Sequence, residues 1–265
     1  MRDEVGLEVV RDNGAGALGV VALRPWVRRN LDAAFVDLAG GESPLGVVVA
    51  EVRPGESSAA AHQLFEETLY VLRGHGSTTI ESADGTIHFE WTAGSVFTIP
   101  LNASYRLHNG SGVTAARLVS VNALPLAYGL YRDAAFVFDN AHDFGRIGSD
   151  GDALVAYDVR ALARSDAAAR GADTTGAAIE RGESGLASNV RVLTGRAVAP
   201  GRPQAAVVLA LEGSGHSMLG PDAWTMERHD WPAGDIGALA VPAAWRCEHV
   251  VESPAAVLLT VTLNV

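Results

Sequence analysis

Apolar residues gather in β-rich runs along much of this chain, alternating with polar ones in several of them. The runs are short, and each is closed by Gly, Pro, Asn or Asp. "LGVVVAEV" (45–52), "TLYVLRG" (68–74), "STTIES" (77–82), "IHFEW" (87–91), "SVFTIP" (95–100) and "AARLVSVN" (115–122) all fit this description. A period of two predicts half-buried strands, and strands at this spacing predict a sandwich or barrel. Helical periodicity is scarce. A short helix is expected near 152–170 and one turn in "VRRNLDAAFVDLAGG" (27–41), which reads equally as a strand donated to another subunit, and the aromatic stretch from 127 is expected to pack against a barrel.

The series then recurs. "NVRVLTGRAV" (189–198), "AAVVLALEG" (205–213), "HSML" (216–219), "TMERHDW" (225–231), "GALAVP" (237–242) and "AAVLLTVTL" (255–263) follow in the same order. "YVLRGHG" (70–76) answers "LALEGSG" (209–215), and Gly74–Gly94 spans 20 residues against 21 for Gly213–Gly234. A repeat at this period implies two all-β units joined by a connection. The glycine pairs in "GHGS" (74–77) and "GSGHS" (213–217) follow strands but open no helix, so they read as hairpin turns rather than phosphate loops.

Bulk composition narrows the partners. A net charge of −11 in 265 residues disfavours nucleic acid and anionic membrane, both of which need a basic surface. The single cysteine, Cys247, rules out an intramolecular disulfide. "MRDEVGLEVV" lacks a signal-peptide core, and no apolar run has membrane-spanning length, so a cytoplasmic location is expected.

"HQLFEETLYVLRGHG" (62–76) and "FEWTAGSVFTIPLNASYRLHNGS" (89–111) strongly resemble the two motifs of the cupin superfamily, G-x5-H-x-H-x3–4-E-x6-G and G-x5-P-x-G-x2-H-x3-N. With "ARLVSVNALPLAYGLYRDAAFVFDN" (116–140) the likeness is to bicupins related to gentisate-type ring-cleaving dioxygenases. The resemblance implies an all-β bicupin of two tandem jelly-roll barrels, with short helical segments in the arm and linker. The boundaries are 1–40 for an N-terminal arm, 41–125 for barrel 1, 126–176 for a linker and 177–265 for barrel 2. It also implies a homodimer.

Residue by residue, the metal-ligand positions are degenerate. Glu67 keeps its spacing to Gly74, and His62 precedes Glu67 with four residues between, which leaves Ala60 in place of the first histidine. Gly94, Pro100 and Asn109 fit the second motif, whereas its glycine is Asn102 and its histidine is Tyr105. In barrel 2 the ligand histidine falls at Cys247, the upstream pair near Pro200 and Arg202, and the third ligand near Ala206 or Val207.

Alternation puts Glu67, Leu69 and Val71 on one inward face and Tyr105 and Leu107 on another, with His108 outward. The expected catalytic group is His62, Glu67 and Tyr105; the expected pocket adds Leu69, Val71, Leu107, Asn102, Cys247 and His249. Imidazole beside carboxylate supplies acid and base, and a phenol can donate to an oxyanion. The expectation is therefore a metal-independent enzyme on a small organic molecule, doing cyclase, isomerase or lyase chemistry in bacterial specialised metabolism, with no cofactor. Two alternatives stand beside it. One is an iron-dependent dioxygenase in which His62, Glu67 and Tyr105 hold a divalent or ferric ion. The other is a non-enzymatic small-molecule-binding cupin. Cys247 as a nucleophile with His249, and Arg202 or Arg246 as carboxylate anchors, are weaker readings beside core packing and solvated side chains.

Overall fold

The computed structural model describes residues 5–11, 17–38, 43–82, 85–140, 154–170, 176–179, 185–199 and 204–263. The first unit runs β1 (Val9–Arg11), β2 (Arg24–Trp26), β3 (Leu31–Asp37), β4 (Gly46–Val52), β5 (Ala61–His62), β6 (Glu67–Arg73), β7 (His75–Ser82), β8 (Gly85–Thr92), β9 (Val96–Ile99), β10 (Ser104–Asn109) and β11 (Ala116–Asn122). Then come α1 (Leu124–Tyr131), α2 (Ala134–Phe138), β12 (Val155–Ala156) and α3 (Val159–Arg170). The second unit runs β13 (Gly176–Ile179), β14 (Leu186–Leu193), β15 (Arg196–Ala199), β16 (Ala206–Glu212), β17 (Gly215–Gly220), β18 (Glu227–Asp230), β19 (Gly237–Val241), β20 (Arg246–Val251) and β21 (Ala256–Leu263).

The repeat read from the sequence is a repeat of topology. Barrel 1 faces a sheet ordered β4-β11-β6-β9 against one ordered β5-β10-β7-β8; barrel 2 faces β14-β21-β16-β19 against β15-β20-β17-β18. Matching the strands places Glu67 opposite Ala206, Tyr105 opposite Cys247 and Leu107 opposite His249 in the two units. The hairpin corners also match. Gly74 (φ +89) and Gly213 (φ +97) adopt the left-handed conformation. A Cβ on either would lie 2.8 Å from the Cα of Ala116 or Ala256. Only glycine meets both demands without strain.

Each barrel has an interior core, and a third core joins them. Leu69, Val71, Ile80, Phe97, Tyr105 and Leu118 pack inside barrel 1; Val208, Leu219, Leu239, Cys247 and Leu258 pack inside barrel 2. Between the barrels, Tyr70, Val119 and Val121 of β6 and β11 join Val190, Val207, Leu209, Leu259 and Val261 of β14, β16 and β21. These sheets are buried on both faces, so their strands read as nearly unbroken apolar runs such as "AVLLTVTL" rather than as alternation.

Three elements differ from the pattern-based reading. "NVRVLTGRAV" is not one strand: the chain turns at Gly195 (φ +61) and enters the opposite sheet as β15. The segment at 27–41 holds both expected elements, a 3-10 turn at Val27–Arg29 and strand β3, and β3 pairs with β4 of its own barrel. The aromatic stretch after residue 126 is split between burial and exposure. Phe138 is in the core against Phe65 and Trp26, while Tyr131 and Phe136 are exposed. No helix among the described residues is long and apolar enough to cross a membrane.

Candidate functional site

One end of barrel 1 holds a partly open cavity of about 30 Å³, with Glu67, Tyr105, Gln63, Arg29, Ser120 and Asn122 as its polar lining. Trp26, Leu31, Val48, Phe65, Leu118 and Leu124 supply apolar walls. That volume suits roughly two ordered waters or the head group of a small molecule.

Glu67 opens β6 and is 5% exposed. The Tyr105 hydroxyl donates to its Oε1 across the barrel, and Gln63 Nε2 donates to the same oxygen at 2.7 Å. Ser120 Oγ donates to Oε2 at 2.6 Å. Strand register explains the convergence. Asn122 sits opposite Glu67 and Ser120 opposite Leu69, so Leu118, Ser120 and Asn122 face inward with Glu67 while Val119 and Val121 face the other barrel. Asn122 Nδ2 donates to Ser120 Oγ at 3.0 Å, and Asn122 Oδ1 accepts from the Leu124 N–H at the start of α1.

Arg29 enters from the 3-10 turn ahead of β3 and is 3% exposed. Its guanidinium carbon lies 4.7 Å from the Tyr105 ring centroid and 5.8 Å from that of Trp26. Its Nη1 donates to Gln63 Oε1 at 3.0 Å, which orients the amide so that Nε2 points at Glu67. Burial drives the Tyr105 hydroxyl far above the ordinary phenol range; Arg29 opposes the shift and Glu67 adds to it. Tyr105 is thus a protonated donor at any ordinary pH.

His62 is not part of this group. On β5 it pairs with Ser104, whereas Ala61 pairs with Tyr105. Paired residues share a face, so Ala61 and Gln63 point inward and His62 points away, half-buried, beside Asp139 and Asn140. The motif permits three or four residues between its second histidine and its glutamate. The structure takes three, which moves the two histidine positions from Ala60 and His62 to Ala61 and Gln63.

The other expected residues divide similarly. Leu69 and Leu107 line the cavity, and Val71 packs in the barrel core away from it. Asn102 is buried with φ +56, the left-handed conformation for which the motif uses glycine, and its N–H donates to the Gln63 carbonyl. His108 faces outward, bonded to Ser57 and Thr79. Cys247 and His249 lie in barrel 2, with Cys247 Sγ 3.7 Å from His249 Nε2. His249 Nδ1 meets Ser217 Oγ at 2.9 Å, and that oxygen also accepts from Trp231 Nε1. Burial pushes the Cys247 thiol up to about 12 and His249 down to about 4, so both stay neutral. This suits packing better than nucleophilic attack. Arg246 is exposed; Pro200 and Arg202 lie outside the described residues.

The cupin fold commonly hosts a metal at the position where Glu67 and Tyr105 meet. The donors here do not fit one. Among the described residues Glu67 is the one acidic side chain on the cavity, its oxygens already accept three bonds, and Tyr105 is held as a neutral phenol. The Gln63 amide oxygen is turned to Arg29, whose permanent positive charge stands in the site. Among the described residues, no group of three or more His, Cys, Asp or Glu could hold a metal ion.

Gln63, Arg29, Ser120 and Asn122 are absent from the sequence-based group. The shorter motif spacing could have pointed to Gln63. No local signal marks Arg29, which lies outside both motifs and 38 residues before Glu67.

No protein-family model and no curated protein sequence matches the chain. Solved structures do. It superposes on the oxalate decarboxylase of Lactobacillus farciminis in its formate complex with a TM-score of 0.63 at 10% identity, covering 96% of this chain and 86% of that one. Salicylate 1,2-dioxygenase from Pseudaminobacter salicylatoxidans aligns with a TM-score of 0.60 at 12% identity over 83% and 71% of the two chains. Vicilin from Solanum lycopersicum aligns with a TM-score of 0.57 at 13% identity over 96% and 85%. With both barrels aligned across most of each chain and the same strand order in each, this protein has the bicupin fold: two tandem jelly-roll barrels in one polypeptide.

Proposed function

We propose that barrel 1 is a metal-independent acid–base site for a small organic molecule, with Glu67 as the base and Tyr105 as the acid. The observation that carries this reading is the Tyr105 hydroxyl donating to a buried Glu67 carboxylate beside a cavity in a barrel interior. A substrate that displaces the Tyr105–Glu67 contact would meet a carboxylate to receive its proton and a phenol to donate to the oxygen that becomes anionic. Low surrounding polarity strengthens both interactions. Proton transfer from carbon followed by reprotonation is isomerisation; loss of a leaving group or ring closure from the same anion is elimination or cyclisation. Ser120 and Gln63 hold the carboxylate in place and are positioning residues.

The test is solvent-deuterium exchange, followed by proton NMR, on a panel of small enolisable carbonyl compounds. Wild-type protein is expected to exchange at least one of them. Glu67→Gln and Tyr105→Phe should slow that exchange by roughly 10²–10⁴-fold, the usual worth of a positioned acid or base. His62→Ala should leave it unchanged, because His62 faces away from the cavity. Exchange that persists at the wild-type rate in Glu67→Gln sinks the reading.

One observation favours a second reading, a non-enzymatic small-molecule-binding cupin. The polar groups are largely satisfied by one another around a cavity of only about 30 Å³. No exchange with any member of the panel, together with saturable binding of one, would favour it.

A further inference from the structure

Among the described residues, Arg29 is a buried cation without a countercharge in contact. It is 3% exposed and lines the cavity, and its Nε has no hydrogen-bond partner. Among the described residues no carboxylate oxygen lies within ion-pair distance of it, and it meets Glu67 through the Gln63 amide and the Tyr105 side chain. A guanidinium withdrawn from water is costly unless an anion meets it. Aromatic faces, here Trp26 and Tyr105, offset part of that cost but leave the Nε N–H unpaired, beside Nη N–H groups in the same plane of which Nη1 donates to Gln63. Those N–H groups form the planar fork that carboxylates match.

We propose that Arg29 is an anion anchor standing where a cupin metal would, and that the ligand of barrel 1 carries a small carboxylate bound there. This rests on the acid–base reading of the same cavity and names its substrate class. The cavity has room for a carboxylate head, and it is partly open, so the rest of a small ligand can extend outward. Bound at Arg29, the anchored carboxylate places its adjoining carbon atoms toward Glu67 and the Tyr105 hydroxyl, the two groups that would exchange protons with it. The positive charge that elsewhere in the fold comes from a metal here comes from a side chain of the chain's own N-terminal segment.

Isothermal titration of acetate and of its neutral isostere acetamide into the full-length protein tests this. Acetate should bind wild type and acetamide should not. Arg29→Gln should weaken acetate binding roughly ten- to a hundred-fold, the loss expected for a hydrogen bond to a charged group, and Arg29→Lys should restore part of it. Glu67→Gln, which removes the neighbouring negative charge, should tighten acetate binding. That arm also decides the matter should Arg29→Gln fail to fold. Equal affinity for acetate and acetamide, undiminished acetate binding in Arg29→Gln, no acetate binding to wild type, or no tightening in Glu67→Gln would each overturn the proposal. So would stoichiometric Mn(II) binding by wild type, read by electron paramagnetic resonance. The acid–base reading fails separately: Arg29-dependent acetate binding alongside full deuterium exchange in Glu67→Gln would leave the anchor standing and remove the base.

Discussion

At the residue scale, burial decides what each ionisable group can do. Tyr105 and Cys247 occupy equivalent positions in the two barrels and both are held neutral, but only Tyr105 has a carboxylate to work with, because Ala206 replaces Glu67 in barrel 2. His249 has a measurable consequence. Burial lowers it from the ordinary 6.5 to about 4, with Arg191 adding to the effect. Between those values the unfolded chain binds a proton that the folded protein does not. The contribution to stability is therefore complete above about pH 6.5 and is lost as the pH falls toward 4. Urea midpoints measured across this window should fall with pH, by up to roughly 3 kcal/mol of stability. His249→Leu, which installs the residue found at the equivalent Leu107, should flatten the profile. An unchanged slope in that variant would show that His249 is not its source. Glu67 and Tyr105 are legible in the sequence because fixed spacings tie them to Gly74 and Pro100. His62 and Gln63 are not told apart there, since both motif spacings are allowed and a one-residue change reverses which side chain faces inward.

At the element scale, the hairpin corners carry the duplication. Gly74 and Gly213 combine a positive φ with a backbone wall 2.8 Å from where a Cβ would sit. Gly55 also has a positive φ (+67) but open space around it. Gly74→Ala and Gly213→Ala should each lose stability by more than Gly55→Ala, which suffers only the conformational penalty of about 1–2 kcal/mol. Chemical denaturation of the three variants measures the order, and equal losses would mean that the close approach costs nothing. These corners are readable locally because a left-handed turn between two apolar runs has few residue solutions. The switch of β15 into the opposite sheet is less readable. "NVRVLTGRAV" carries its turn in one Thr-Gly step within a run that otherwise suits a single strand.

At the scale of the whole molecule, the barrels share a core and a tether. The Arg117 guanidinium, 5% exposed, donates to the carbonyls of Leu18 and Val21, while the Leu18 and Gly19 N–H groups donate to Ile236 and Asp235 of barrel 2. Thr68 and Ser188 meet at 3.4 Å within the shared core. Neither barrel can open without exposing the apolar faces of β6, β11, β16 and β21. Urea unfolding should therefore be one transition, with far-ultraviolet dichroism and tryptophan fluorescence coincident. Asp235→Ala should lower its midpoint by about 1–2 kcal/mol of stability, the worth of the bonds its Oδ1 accepts from the Gly19 and Ile236 N–H groups, without splitting it. Two separated transitions would show that the barrels fold independently.

The sequence by itself determined the architecture. Strand periodicity, turn residues and the recurrence of the strand series are local patterns that give two all-β units, sandwich or barrel, and the fixed spacings that resemble the cupin motifs make them two tandem barrels. Two of the polar groups at the cavity, Glu67 and Tyr105, were within its reach for the same reason. Tertiary structure alone decided which residues join them. Pairing of Ala61 with Tyr105 turned Gln63 inward and His62 out, and the fold brought Arg29 back over the barrel from a segment that no motif spacing connects to it. Those choices depend on register across strands and on contacts between distant parts of the chain, which a pattern read along the sequence does not encode.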